Sequence, residues 1–67
     1  MKTFGQNLKE IRISRNISQK ELANKLNTTQ QRVSEWECGK IEPTLLNIIK
    51  ILRVLEITFE ELVEDIE

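Results

Sequence analysis

Five polar residues in one short stretch carry side chains that could read the edge of another molecule. Glutamine amides donate and accept hydrogen bonds at once, so Gln30 and Gln31 could pair bidentately with adenine in a DNA major groove. The Glu35 carboxylate could accept from a cytosine amino group, and Arg32 or Ser34 could assist. The same residues would equally form an ordinary solvated face of a surface helix, so their function depends on what surrounds them.

Residues for other kinds of chemistry are scarce in this chain. It contains no histidine and one cysteine, Cys38, so it cannot form an internal disulfide and we expect no metal site. There is no glycine-rich phosphate loop, and Cys38 has no imidazole to activate its thiol. The sequence therefore predicts a protein that is not an enzyme and that needs no cofactor.

The first of two short helices that would position the polar residues is predicted over 19–26. Ser18 and Glu21 match a capping box, in which each side chain satisfies the free backbone N–H of the other residue. Apolar residues then recur on one face, where Ala23 is small enough to let another helix approach closely. Asn27 ends this helix, because asparagine tolerates the left-handed conformation of a helix terminus.

The second helix is predicted over 30–37 and would carry Val33 and Trp36 into the core. About three residues separate it from the first helix, which is too few for the two to lie antiparallel. They must instead cross at a steep angle. Residues 18–37 therefore show a helix-turn-helix pattern.

Several residues in and around this pattern match those of a known protein family. The set comprises Gln19, Glu21, Leu22, Ala23, the run Thr28-Thr29-Gln30-Gln31, Glu37, Gly39-Lys40 and Pro43. It resembles the helix-turn-helix domains of phage repressor and Cro proteins, the Cro/CI-type or XRE-like family. The resemblance extends from about Phe4 to Val63. It implies an all-α fold, a compact five-helix bundle of the lambda-repressor-like type.

The same resemblance implies roles for particular residues. In that family an arginine at the position of Arg12 pairs with a glutamate at the position of Glu37, beneath the second helix of the motif. We therefore expect Arg12 and Glu37 to form a structural ion pair, which fixes helix orientation more than it adds stability. The residues expected to contact DNA phosphates are Gln19, Thr29, Lys40 and Asn47.

Two departures from the family pattern follow the second helix. Cys38 stands where the family commonly has asparagine, and Glu42 stands where some relatives have basic residues. Both changes would weaken the contact of this loop with a phosphate backbone.

The charge of the chain is small but unevenly distributed. The net charge is −1, yet eight of the ten basic residues lie in residues 1–40 and seven of the eleven acidic residues lie in 41–67. The half that contains the helix-turn-helix pattern is thus basic and would face a phosphate backbone. With 67 residues, no apolar run near the roughly 20 residues of a membrane span and no signal peptide, we expect one cytoplasmic domain. The resemblance to phage repressor and Cro proteins implies a bacterial or phage origin.

Apolar periodicity predicts three more helices, over 4–15, 45–55 and 59–64. The helix over 45–55 is apolar on more than one face, and one small domain cannot enclose it. Its predicted core-facing stripe is Leu45, Ile48, Ile49, Leu52 and Leu55. A second copy of the chain is the simplest cover for its other face, although soluble proteins also tolerate isolated apolar side chains on their surface. The predicted dimer interface is Leu46, Ile51, Val54 and Ile57.

These features predict a sequence-specific transcriptional regulator, a repressor that binds double-stranded DNA as a homodimer. The second helix of the motif would lie in the major groove of a pseudo-palindromic operator. The alternative is a protein-interaction adaptor or an antitoxin component with the same fold, because fold alone does not determine function.

Overall fold

A computed structural model describes residues 2–66 of the chain, and this part is built from five α-helices. The helices are α1 (Phe4–Ser14), α2 (Gln19–Leu26), α3 (Gln30–Glu37), α4 (Leu45–Leu55) and α5 (Phe59–Leu62). Between residues 2 and 66 the extended backbone pairs once, in a parallel bridge that joins Lys2 to Ile66. The predicted all-α five-helix fold is confirmed. None of the described helices is both long enough and apolar enough to cross a membrane.

Each helix begins at a serine or threonine whose hydroxyl accepts a hydrogen bond from the backbone N–H three residues later. These residues are Thr3, Ser18, Thr29, Thr44 and Thr58. Such a cap is worth about 1 kcal/mol, because it satisfies a backbone donor that the helix itself leaves unpaired. The capping box predicted from Ser18 is present, and Thr58 with Glu61 and Thr3 with Gln6 form two more.

The helix ends show where single residues permit a sharp turn. Asn27 ends α2 in the left-handed conformation, with φ of 59°, as predicted. Gly39 follows α3 with φ of 81°. Glu56 ends α4 with φ of 56°, although glutamate is not a residue that favours this region. The last helix, α5, ends at Leu62, two residues earlier than predicted.

One apolar core joins the helices. Trp36 is its largest side chain and is 1% exposed, as predicted, and Leu8 of α1 and Leu22 of α2 are completely buried beside it. Ala23 is also buried, and α2 packs against α3 on one side and α4 on the other. The core therefore holds the inner face of α3 in a fixed orientation.

The face that α4 turns inward differs from the predicted one. Ile51 is completely buried and Ile57 is 9% exposed, so neither can contact a partner and both were wrongly assigned to the dimer interface. Val54 is partly buried against the core. Leu45 and Ile49, predicted to face inward, are instead exposed. Eight of the eleven residues of this helix are apolar, so periodicity alone could not select its inner face; packing against α2 does so.

The two ends of the described chain are joined by a buried asparagine. Asn7 is 4% exposed, and its side-chain nitrogen donates to the carbonyl oxygen of Leu62 at 3.0 Å and to that of Glu64 at 2.8 Å. Leu62 is the last residue of α5 and Glu64 lies two residues beyond it, so this short helix cannot satisfy either carbonyl itself. Asn7 therefore attaches α5 to α1.

Candidate nucleic-acid interface

The first turn of α3 presents polar side chains to solvent while its opposite side is buried. Gln30, Gln31 and Arg32 are exposed, whereas Val33 and Trp36 lie in the core. For Gln31 this arrangement follows from the sequence, because it lies on the side of the helix opposite Val33 and Trp36. Gln30 is exposed as the first residue of the helix. An exposed helix face with amide groups at its N-terminal turn has the shape and donor–acceptor chemistry to enter a major groove.

The other predicted base-contacting residues lie further along α3 and are less accessible. Ser34 and Glu35 are partly buried. Thr29, predicted to contact phosphate, is exposed as the N-cap of α3, and its hydroxyl oxygen accepts from the backbone N–H of Arg32 at 3.1 Å. Its hydroxyl hydrogen is still available for a further acceptor.

Arg12 and Glu37 form the expected ion pair beneath α3. Arg12 Nε lies 2.6 Å from Glu37 Oε2, and Nη2 donates to Oε1 at 3.1 Å, so the contact is bidentate. Arg12 Nη1 also donates to the carbonyl oxygen of Ile17, at 2.8 Å. Both ionic side chains are nearly buried, with 10% and 3% of their surface exposed. The pair therefore ties α1 to the end of α3 and to the segment that leads into α2.

Gln19 extends this network to α2. Its amide nitrogen donates to Glu37 Oε1 at 3.0 Å, so the side chain is anchored at the carboxylate end of the ion pair. The second N–H of the amide is not used by that bond. Gln19 is partly buried, and it lies in the first turn of α2. Its position suits the phosphate contact predicted for it.

Lys40 and Asn47 lie beyond α3. Lys40 is exposed, and its backbone N–H donates to the carbonyl oxygen of Glu35 at 2.9 Å, which closes the turn made at Gly39. Asn47 is partly buried in the first turn of α4. Lys40 therefore lies close to the end of α3 along the chain, whereas Asn47 belongs to a helix that packs mainly against α2.

The exposed ionic pair near the start of the chain lies outside this set of residues. The pKa of the Lys2 ammonium is raised above its ordinary value, chiefly by a hydrogen bond from Nζ to Glu10 Oε1 at 2.7 Å. Lys2 thus stays positively charged at neutral pH. Across residues 2–66 no group of three or more acidic or cysteine side chains is placed to hold a metal ion.

Comparison with known proteins decides the family. The helix-turn-helix family model matches residues 8–62, most of the chain. This chain belongs to the helix-turn-helix family of Cro/CI type. A relative from Bacillus subtilis (strain 168), the SPbeta prophage-derived uncharacterized HTH-type transcriptional regulator YonR, is 34% identical over 91% of this chain and 56% of its own length. The HTH-type transcriptional activator BcrR of Enterococcus faecalis is 30% identical over 88% of this chain and 29% of its own length.

A solved structure shows the same fold. The crystal structure of the restriction-modification controller protein C.AhdI from Aeromonas hydrophila matches with a TM-score of 0.83 and 36% identity, covering 88% of this chain and 89% of that one. The curated relatives are longer, since this chain spans about half of YonR and less than a third of BcrR. The likeness to them therefore concerns the helix-turn-helix domain.

Sequence reasoning missed two residues that shape this interface. Gly5 gives α1 its close approach to the end of α3, and Lys9 lies beside Gln19 and Ser34 on the protein surface. Lys9 is three residues before Arg12, so the two basic residues lie on the same side of α1. This spacing could have indicated that Lys9 lies near the helix-turn-helix motif.

Proposed function

We propose that this chain is the DNA-binding part of a transcriptional regulator and binds a specific duplex sequence as a homodimer. The observation that carries the proposal is the exposed polar turn at the start of α3, held rigidly by a buried opposite face and by the Arg12–Glu37 pair. In this arrangement α3 enters the major groove. The proposed base contacts come from Gln30, Gln31, Arg32, Ser34 and Glu35, and the proposed phosphate contacts from Gln19, Thr29, Lys40 and Asn47.

Membership of a family whose relatives are named transcriptional regulators supports this proposal, as does the likeness to a controller protein. Repression, by occupation of the operator, is the proposed mode of regulation. The relative BcrR is named a transcriptional activator, so the family includes activators.

The proposed dimer face is the outer side of α4 and the loop before it. Leu45 is 73% exposed and Leu46 is 62% exposed, and Ile41 and Ile49 are also large apolar residues that remain exposed. Burying this surface against a second copy would remove several large side chains from water. Two-fold symmetry then predicts a pseudo-palindromic operator with half-sites about 10 bp apart, or a multiple of that distance.

Replacing Gln30 or Gln31 with alanine is expected to relax base preference at one position in each half-site. Each lost glutamine–adenine pair should cost roughly 1–3 kcal/mol of discrimination. Binding constants for the operator and for singly substituted operators measure this directly. Asn24→Ala is the matched control, since Asn24 is an exposed amide on α2. An equal loss of affinity for every duplex would contradict a base-reading role for these glutamines.

Replacing Leu46 with glutamate is expected to shift the protein from dimer to monomer, because a buried unpaired carboxylate is costly at an interface. Sedimentation equilibrium over a range of concentrations would show the shift as a weaker association constant. Ile13→Glu is the control, because Ile13 is a similarly exposed apolar residue, 54% accessible, on α1. The proposed dimer face is wrong if the two variants associate equally well.

A further inference from the structure

A small notch on the protein surface brings together side chains from three helices. It encloses about 180 Å³ and is lined by Lys9 of α1, Gln19 of α2, and Ser34, Glu37 and Cys38 at the end of α3. Gln19 and Ser34 are partly buried, whereas Lys9 and Cys38 are exposed. The notch therefore adjoins the same helix whose first turn carries the proposed base contacts.

The carboxylate in the notch does not make it an acidic site. Both oxygens of Glu37 are engaged by Arg12, and one of them also accepts from Gln19. The Glu37 charge is thus balanced by a guanidinium in direct contact with it. Lys9 is the remaining charged side chain of the lining, so the notch with its buried ion pair carries a net positive charge.

The polar atoms of the notch suit an anion with several acceptor oxygens. Gln19 has one amide N–H that its bond to Glu37 does not use, and Lys9 has three ammonium donors. A phosphate oxygen accepts from all of these groups. The bond to Glu37 also holds the Gln19 amide in one orientation, which reduces the entropy lost when an anion binds.

We propose that Lys9 contacts a phosphate of the DNA backbone at this notch, beside Gln19. The inference rests on the proposed function and adds to it a charged contact from α1. This helix lies before the helix-turn-helix motif, so the contact comes from outside the motif. Lys9 contributes affinity that does not depend on base sequence, because phosphates are the same at every position. The contact also places α1, and not only α2 and α3, against the duplex.

The salt dependence of DNA binding tests this contact. For the full chain, the logarithm of the binding constant is plotted against the logarithm of salt concentration, for the operator and for an unrelated duplex. Lys9→Ala is expected to reduce the slope by about 1 for each protomer, which is about 2 for the dimer, and to weaken binding about 5- to 10-fold per protomer at 0.1 M salt on both duplexes. Lys25→Ala is the matched control, because Lys25 is exposed in the last turn of α2, the end opposite to Gln19.

The lone cysteine gives a second readout that leaves Lys9 unchanged. Cys38 lines the notch and its thiol is free and exposed, so it reacts with a thiol reagent in the free protein. Bound operator is expected to slow this alkylation at least about tenfold, since a phosphate in the notch would cover the sulfur.

The outcomes separate this proposal from the proposed function. If the salt dependence of DNA binding has the same slope for Lys9→Ala as for Lys25→Ala, the Lys9 contact is refuted. If Gln30→Ala still relaxes base preference in that case, the DNA-binding function stands. Unchanged alkylation of Cys38 in the bound complex would refute a phosphate at the notch in the same way. If the unaltered protein shows no salt-dependent binding to any duplex, both proposals fail.

Discussion

Replacing Gly5 with alanine is expected to destabilise the protein by about 3 kcal/mol or more, although alanine is usually the better helix residue. A methyl group at this position of α1 would lie 2.8 Å from the carbonyl carbon of Glu37 and closer still to the carbonyl oxygens of Trp36 and Glu37. These are backbone atoms at the end of α3, so no side chain can rotate away. Thermal unfolding should show a fall in Tm of more than about 12 °C for a domain of this size.

Gly39→Ala separates this clash from the general cost of replacing a glycine. Gly39 has φ of 81°, and a methyl group there would meet no atom within 4 Å. Only backbone strain remains at that position, and it should cost about 1–2 kcal/mol. A Gly5→Ala protein as stable as the unaltered chain would show that α1 and α3 do not pack as closely as described.

Replacing Arg12 with methionine is expected to destabilise the protein by about 3–5 kcal/mol, because it leaves the Glu37 carboxylate buried without its partner. A domain of this size has a total stability of only about 3–10 kcal/mol. The variant should therefore retain little of its stability, and its midpoint of urea denaturation should fall well below that of the unaltered protein. Urea denaturation followed by circular dichroism measures the change in the free energy of unfolding.

The double variant Arg12→Met, Glu37→Leu is the control for that result. It removes both charges and keeps similar apolar volume, so it should recover most of the lost stability. Gln19 would lose its acceptor in this variant, and so its DNA affinity should stay below that of the unaltered protein even though the fold returns. A double variant no more stable than Arg12→Met alone would mean that packing, and not the unpaired charge, dominates at this site.

Three contacts at the end of α3 thus define the orientation of the proposed recognition helix. Gly5 admits the backbone of α3 against α1, Arg12 holds the Glu37 carboxylate, and Gln19 joins that carboxylate to α2. The exposed glutamines occupy the opposite end of the same short helix. Because the helix is held at its buried end, little conformational entropy should be lost when its first turn enters a groove.

Features that depend on local chemistry were predictable from the sequence. The capping box at Ser18 and the left-handed Asn27 each rest on the properties of one or two side chains, and both are present. The inward position of Trp36 followed from helical spacing. The Arg12–Glu37 pair came instead from the family resemblance, since nothing in the spacing of two residues 25 positions apart predicts that they meet.

Features that depend on tertiary packing were not predictable in this way. Ile51 and Leu45 are both large apolar residues of α4, and only the position of α2 decides which of them is buried. Asn7 meets the carbonyls after α5 because the two ends of the fold come together, which no local pattern shows. Likewise, Lys9 reaches the notch through the packing of α1 against α3.

The most direct test of the central claim is selection of bound sequences from a random pool of DNA duplexes, with the purified protein at moderate salt. The proposed function predicts an enriched pseudo-palindrome whose half-sites are about 10 bp apart or a multiple of that, with adenines at the positions that Gln30→Ala or Gln31→Ala relaxes. A pool that shows no enrichment would contradict sequence-specific recognition. That result would favour the alternative, a protein-interaction adaptor or antitoxin component with this fold.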